Sequence, residues 1–273
     1  MLRYAVLLLI VAGAVAGVLF LMSPEAQRLI DRATIAFTRL DNKRHVGMGA
    51  PLPGTPDLVK FDERLQAKGL ALGAPIFVRI FKLESELELW IERDGRFQHF
   101  ATYPICLWSG RLGPKFREGD RQSPEGFYSV TKEQLNPNSR WHRSFNLGFP
   151  NEFDRAHGRS GTFLMVHGGC LSIGCYAMTD AVVDEIWRLV TAALDKGQGA
   201  FQVHSFPFRM SERNLEMRRG YPWAAFWTDL KKGYDAFERT KVPPAVSVCD
   251  GRYVVAEAGT TPAPCETTAL TTP

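Results

Sequence analysis

Leu87, Leu89 and Ile91 alternate with Glu88, Trp90 and Glu92, the period of a strand with one face buried. Asp94-Gly95 supplies the positive-φ dipeptide of a two-residue hairpin, so Phe97 to Tyr103 is predicted to run back alongside. Ile76 to Leu83 reads as a preceding strand, and Gly126 to Val130, Thr162 to Val166 and Phe201 to His204 are short apolar runs of strand length. The period then lengthens. Thr179 can cap a helix whose Val182, Val183, Ile186, Val190, Ala193 and Leu194 form one stripe, closed by Lys196-Gly197. A later helix is predicted from Pro222, with Trp223, Phe226, Trp227, Leu230, Tyr234 and Phe237 at helical spacing, an aromatic stripe that reads as packing. Leu135 to Arg159 keeps no clean period and is expected to be a long ordered loop, which in a compact domain is usually functional. The pattern predicts an α+β, β-rich fold.

The flanks read differently. Ser23 to Pro75 carries a short helical pattern after Pro24, then the Pro- and Gly-rich run 48–56, then a second short helix through Leu58, Phe61 and Leu65. This stretch is expected to be a spacer, and the residues beyond Pro243-Pro244 a loosely ordered tail. The resulting division is 1–23 as a membrane or export segment, 24–75 as spacer, 76–208 as the main domain, 209–240 as helices packing on it, and 241–273 as tail. After Arg3, the uninterrupted run from Tyr4 to Met22 is long enough to span a bilayer if helical, and Arg3 should stay inside. Ala14-Val15-Ala16 has the spacing of a cleavage site, so a removed signal peptide competes with an anchor through 4–22. Either way the body is exported.

Composition narrows the partners. The chain has 273 residues, with 33 basic against 29 acidic side chains and a net charge of +4, too mild a balance for nucleic acid, and no basic stripe interleaves with aromatics. Membrane lipid or an anionic cell-wall polymer stays compatible with it. Export gives the five cysteines, Cys106, Cys170, Cys175, Cys249 and Cys265, a compartment in which disulfides persist, and their odd number leaves one unpaired within a monomer. Cys249 and Cys265 are the natural local pair.

The chemistry concentrates in FLMVHGGCLSIGCYAMTD, Phe163 to Asp180. In one reading Cys175 is a nucleophile and His167 its base, with two glycines turning the chain after a strand and Gly174 allowing close approach beside the sulfur. In a second, His167, Cys170 and Cys175 are three ligands of a metal. In a third, Cys170 and Cys175 close a disulfide beside a bystander histidine. The plainest alternative is a buried turn with inert thiols.

Val166-His167-Gly168 followed by Ser172-Ile173-Gly174-Cys175 resembles the H-G … [S/T]-x-G-C signature of YkuD-type L,D-transpeptidases, and Gly119 to Tyr128 is similar to that family's T-P-x-G-x-Y strand. The string S-I-G-C-Y-A-M and the segment Arg155 to Gly158 resemble its YafK-like branch. The match runs from about Pro75 to Phe208. The resemblance implies a YkuD-like β-sandwich catalytic domain with flanking helices, acting without a metal or other cofactor in the periplasm. Its substrate would be the diaminopimelate-containing stem peptides of peptidoglycan. Cys175 would become a thioester, His167 would serve as base and then acid, the Gly168 carbonyl would orient the imidazole, and Ser172 and Gly174 would shape the nucleophile loop and oxyanion site. Transfer to an amine, or hydrolysis freeing a wall-linked outer-membrane lipoprotein, would follow; a non-catalytic peptidoglycan-binding module is the reading of another class.

The chain departs from the signature in carrying Ala177 where the family pattern C-x-R has arginine, and in a shorter interval from histidine to cysteine. Arg155, His157 and Tyr176, with Arg140 and His142 behind them, are the expected substrate contacts. Cys170 is expected as a structural thiol or as a redox guard able to lock Cys175.

Overall fold

The computed structural model describes residues 23–260. The segment 4–22, expected to be an anchor, and Cys265 lie outside them; among the described residues no helix is long and apolar enough to cross a membrane. The chain folds as a mixed α+β protein built on two five-stranded sheets.

The first sheet has the order β3-β2-β1-β10-β5, from β1 (Ile76–Phe81), β2 (Glu86–Arg93), β3 (Arg96–Pro104), β5 (Gly126–Thr131) and β10 (Ala200–Phe206). The β2–β3 hairpin turns at Asp94 and Gly95, at φ 55° and 77°, as the dipeptide predicts. The second has the order β4-β9-β8-β7-β6, from β4 (Leu107–Trp108), β6 (Leu135–Asn136), β7 (Ser144–Asn146), β8 (Met165–His167) and β9 (Tyr176–Ala177). They meet face to face where Phe145 packs edge-on against Phe201 at 5.4 Å and the Tyr176 hydroxyl reaches Ser205 at 2.8 Å.

Both faces of the first sheet are covered. Ile76, Val78 and Ile80 lie on the opposite side of β1 from Phe77, Arg79 and Phe81, and all six are buried. The Phe77 side lies under the aromatic helix, where Phe237 packs 4.6 Å from Phe77 and Tyr234 5.5 Å from Phe206. This explains Glu88, which the alternation alone would leave in water. It is buried, and it accepts from Arg79 Nε and Nη2 at 3.0 and 2.7 Å and from Arg209 at 2.6 Å. His204 sits on the same face between Phe77 and Phe127, where burial pulls its pKa down to about 3; it is a core histidine.

Six α-helices are present among the described residues: α1 (Pro24–Gly47), α2 (Phe61–Ala67), α3 (Glu152–Ala156), α4 (Asp180–Asp195), α5 (Glu212–Met217) and α6 (Ala224–Thr240). α4 buries the stripe read from its sequence. The region read as spacer is more ordered than expected. α1 runs for 24 residues and is fastened to the body by polar groups: Asp31 pairs with Arg218 through bonds of 2.6 and 3.0 Å, and the Asn42 amide donates to the carbonyls of Ile105 and Cys106. A buried face made of Asp31, Ile35 and Asn42 carries little hydrophobic period, so its extent was hidden. The region read as tail also forms structure. β11 (Ala245–Cys249) and β12 (Arg252–Ala256) make a hairpin through Asp250-Gly251, and Tyr253 stacks on Phe153 at 4.2 Å.

The layers converge on Lys82, just past β1, and Glu125, just before β5. Both are fully buried. The ammonium donates to Glu125 at 2.9 Å and to the carbonyls of Gly113 and Ser123 at 2.9 and 3.0 Å. The carboxylate also accepts from the Gly113 amide at 2.7 Å and Trp227 Nε1 at 2.8 Å. Replacing Glu125 by Gln leaves the ammonium buried without its counter-charge, and we expect a loss of about 3–5 kcal/mol in urea unfolding. A loss below about 1 kcal/mol would show that water or a relaxed backbone replaces the carboxylate.

Candidate active site

The second sheet separates core from chemistry by simple alternation. Leu135, Phe145, Val166, Tyr176 and Trp108 are aligned across its five strands and face the first sheet. The next row, Ser144, His167 and Ala177, faces the other way. Cys175 precedes Tyr176 and so falls on the face of Ala177 and His167, beside Met165, whose amide donates to its sulfur at 3.4 Å. The thiol thus leads into β9, its sulfur 3.4 Å from the Phe163 carbonyl, and the imidazole ends β8, the strand that pairs with β9 in parallel. Tyr176, expected to contact substrate, points the other way: it is fully buried and its hydroxyl is spent on Pro124 O and Ser205 Oγ.

The imidazole has a defined tautomer. Nδ1 of the buried His167 lies 2.5 Å from the Gly168 carbonyl oxygen, an acceptor only, so Nδ1 carries the hydrogen and Nε2 keeps a free lone pair. Trp141 covers the ring at 6.3 Å between centroids. A side chain at Gly168 would sit 2.5 Å from Asp180 Oδ1 and 2.9 Å from His142 Cβ, so only glycine lets the chain turn here.

The turn before Cys175 is held by three hydroxyls. Ser172 Oγ donates to the Cys175 carbonyl at 2.8 Å and accepts from the Gly174 amide at 3.2 Å. Because that uses its one proton, Ser109 must be the donor in their 2.7 Å contact. Ser123 Oγ also donates to the Cys175 carbonyl, at 3.0 Å. Gly174 has φ 147°, and a methyl there would press on Leu164 at 3.3 Å. Ser172 and Gly174 thus shape the loop, although the Gly174 amide is engaged with Ser172 rather than open to an oxyanion.

Cys170 has another partner. It forms a disulfide with Cys106 across 64 residues of sequence, joining the approach to β4 to the loop after β8. The expected Cys170–Cys175 loop, the redox guard and the metal triad are all overturned by this bond, because the Cys170 sulfur is committed and Cys175 is free. Closing a loop of that length stabilises by about 4 kcal/mol in the chain-entropy account.

Burial favours the neutral form of both the thiol and the imidazole. Burial pushes the Cys175 thiol above its ordinary pKa, outweighing the Met165 amide and the positive charge of Lys115, which pull it down. Burial likewise lowers the His167 imidazole, against the pull of the Gly168 carbonyl. Lys115 is the cation that sequence reasoning missed. It is almost fully buried and bonded to Asp120 at 2.5 Å. Burial works against the Asp120 carboxylate, but Lys115 and the amides of Phe116, Arg117 and Gln122 hold its pKa below the ordinary value. The only signal available for Lys115 was its place before the Gly119 to Tyr128 segment.

Of the cations expected from the long loop, Arg155 and His157 are engaged at α3, whereas Arg140 and His142 flank the Trp141 that lies against His167. Arg155 donates to the Pro150 carbonyl at 2.5 Å, and His157 bonds Phe153 O at 2.9 Å and stacks on the Phe153 ring at 4.2 Å, beside the C-terminal hairpin. Arg140 lies over Trp141, and His142 bonds Asp184 on α4 at 2.7 Å. Phe163, whose carbonyl accepts from the thiol at 3.4 Å, and Leu171 and Ile173, just before Cys175 in sequence, are exposed apolar side chains.

A scan of protein-family models finds no match. Among curated proteins, the chain is 47% identical over 210 residues to the protein named "Putative L,D-transpeptidase YafK" of Escherichia coli strain K12, covering 77% of this chain and 83% of that one. The same figures hold for its namesake in Escherichia coli O157:H7. The chain belongs to the L,D-transpeptidases, in the YafK family. Among solved structures, the helical cell shape determining protein Pgp2 from Campylobacter jejuni aligns with a TM-score of 0.41 and 16% identity, over 70% of this chain and 81% of that one.

The pKa directions set the pH profile of the free site. A thiol raised by burial beside a neutral imidazole should be alkylated by iodoacetamide at a rate that still climbs at about pH 9, with no plateau near pH 6. A reactive plateau below pH 7 would mean a preformed thiolate–imidazolium pair and would overturn this description.

Proposed function

We propose that the protein is a cysteine acyl-transfer enzyme acting on diaminopimelate-containing stem peptides of peptidoglycan. The observation that carries the reading is the parallel pairing of β8, which ends at His167, with β9, which Cys175 leads into, together with the Nδ1 bond that leaves Nε2 of His167 free. As a donor carbonyl enters, the Cys175 thiol gives its proton to Nε2 and sulfur forms a bond to the carbonyl carbon. The amide C–N bond breaks, the leaving amine takes the proton from His167, and a thioester remains on Cys175. An acceptor amine then loses its proton to His167 as it attacks, the C–S bond breaks, and the proton returns to sulfur.

Burial of both groups suits this order. The proton is held until substrate excludes water and completes the site. Gly168 orients the imidazole, Ser172 and Gly174 fix the nucleophile turn, and Lys115 supplies positive charge near the sulfur. Exported, periplasmic placement is supported by the apolar run from Tyr4 to Met22 and by the Cys106–Cys170 disulfide, which suits an oxidising compartment. Inner-membrane anchoring through 4–22 belongs to the same reading.

Ala177 favours a second outcome for the thioester. Its methyl, beside His167, offers no charge to bind an acceptor's carboxylate, so water can replace the amine and the enzyme can release a wall-linked lipoprotein. Cys175→Ala should lower turnover of purified sacculi by at least about 10³-fold while leaving the melting curve unchanged; undiminished turnover would falsify the proposal. Mass spectrometry of the products distinguishes the outcomes, as new diaminopimelate cross-links in one case and freed lipoprotein in the other.

A further inference from the structure

A second feature lies beside the nucleophile turn. α1, the segment 110–122 and Tyr221 to Trp223 enclose a groove of about 570 Å³. Four arginines line it, Arg28, Arg32, Arg39 and Arg111. Its two carboxylates are already neutralised: Asp31 is held by Arg218 and Tyr221, and Asp120 by Lys115. None of the four lining guanidiniums has a carboxylate partner among the described residues. Arg39 donates only to the carbonyls of Trp108 and Gly110, and Arg28 to that of Gly220. The Nε atoms of Arg28 and Arg39 are buried without an acceptor. A concave surface with four uncompensated guanidiniums, two of them carrying orphaned donors, is built to receive anions.

The groove adjoins the nucleophile turn through Gln122. Gln122 lines it, and Ser123, the next residue, donates to the Cys175 carbonyl. The main-chain oxygen of Gln122 lies 3.9 Å from where a Gly174 side chain would begin. Leu112, Phe116 and Trp223 add apolar wall between the charges. We infer that this groove is a binding subsite for the carboxylates of a peptide whose reacting end lies at Cys175. Resting on the function proposed above, the occupant is the acidic stem peptide of the wall, whose γ-glutamyl linkage leaves an α-carboxylate free along an extended backbone. Planar guanidiniums match carboxylates in bidentate geometry and remain charged at any working pH. An anionic phospholipid headgroup is the competing occupant. The placement of the groove against the nucleophile turn favours peptide.

The test uses the full chain in neutral detergent, with Cys175→Ala to prevent turnover. Calorimetry measures binding of L-alanyl-γ-D-glutamyl-meso-diaminopimelate with and without the added pair Arg32→Gln and Arg111→Gln, two exposed side chains bonded to no other residue's side chain. The pair should weaken the tripeptide at least about tenfold with a melting curve that superimposes on the parent's, and binding by the parent should weaken as salt rises. Undetectable binding by the parent, or equal affinity after the substitutions, overturns the inference. Dihexanoylphosphatidylglycerol below its micellar concentration is the second probe: if the substitutions abolish its binding and spare the tripeptide, the groove serves lipid and the inference fails. Intact, Cys175-dependent turnover of sacculi alongside any of these failures removes the groove assignment alone, whereas turnover that survives Cys175→Ala removes the reading of the reaction.

Discussion

The geometry of the site depends on a salt bridge that water does not reach. Lys82 and Glu125 are fully buried, and between them they bind two carbonyls, one amide and an indole besides each other. Such a pair is a poor source of stability, because desolvating two charges offsets much of their attraction. Its effect is positional. It fixes the ends of the segment 113–125 against β1 and α6, and Ser123 within that segment is both a ligand of the ammonium and a donor to the nucleophile's carbonyl. The path from the core to Cys175 is therefore two hydrogen bonds long. Placed on a rigid support, a reacting group is held without spending substrate binding energy on order.

Alternation in the second sheet does the rest of the separation. One register sends Phe145, Val166 and Tyr176 into the core and the opposite register sends Ser144, His167 and Cys175 to the reactive side. A slip of one residue would bury the imidazole among phenyl rings and expose the core, so the apolar row specifies the site as firmly as the site residues do. The disulfide reinforces this by tying the loop after His167 to the start of β4, whose Trp108 completes the same apolar row. Burial that serves packing also bears on the chemistry here, since it favours the uncharged form of both thiol and imidazole.

Strand alternation, the Asp94-Gly95 turn and the stripe of α4 could all be read from the chain, because each rests on local period or on residues close in sequence. What escaped was set by distant partners. α1 docks through Asp31 and Asn42, whose partners Arg218 and the Cys106 carbonyl are far along the chain. Tyr176 was misjudged for a related reason: adjacency to a nucleophile in a strand means the opposite face, and the period-2 rule alone could have excluded it. The second hairpin was legible, since Asp250-Gly251 repeats the signal of Asp94-Gly95, but the Thr-, Ala- and Pro-rich residues after it drew the whole stretch towards disorder. The Cys106–Cys170 bond followed from no spacing rule, because connectivity is a property of the fold.

The missing arginine at Ala177 is then less of an anomaly than the sequence suggested. Residue 177 pairs with His167 across β8 and β9, and a guanidinium there would place a positive charge against the imidazole that accepts a proton in the proposed reaction. With alanine in that position the base faces no adjacent cation, and positive charge is held back, at Lys115 behind the thiol and in the arginines of the α1 groove. In the proposed reaction, charge placed to bind an anionic peptide is thus kept apart from charge that would oppose proton transfer. Coulomb energies fall with distance and screening, so a cation one groove away can still anchor a carboxylate while perturbing His167 little.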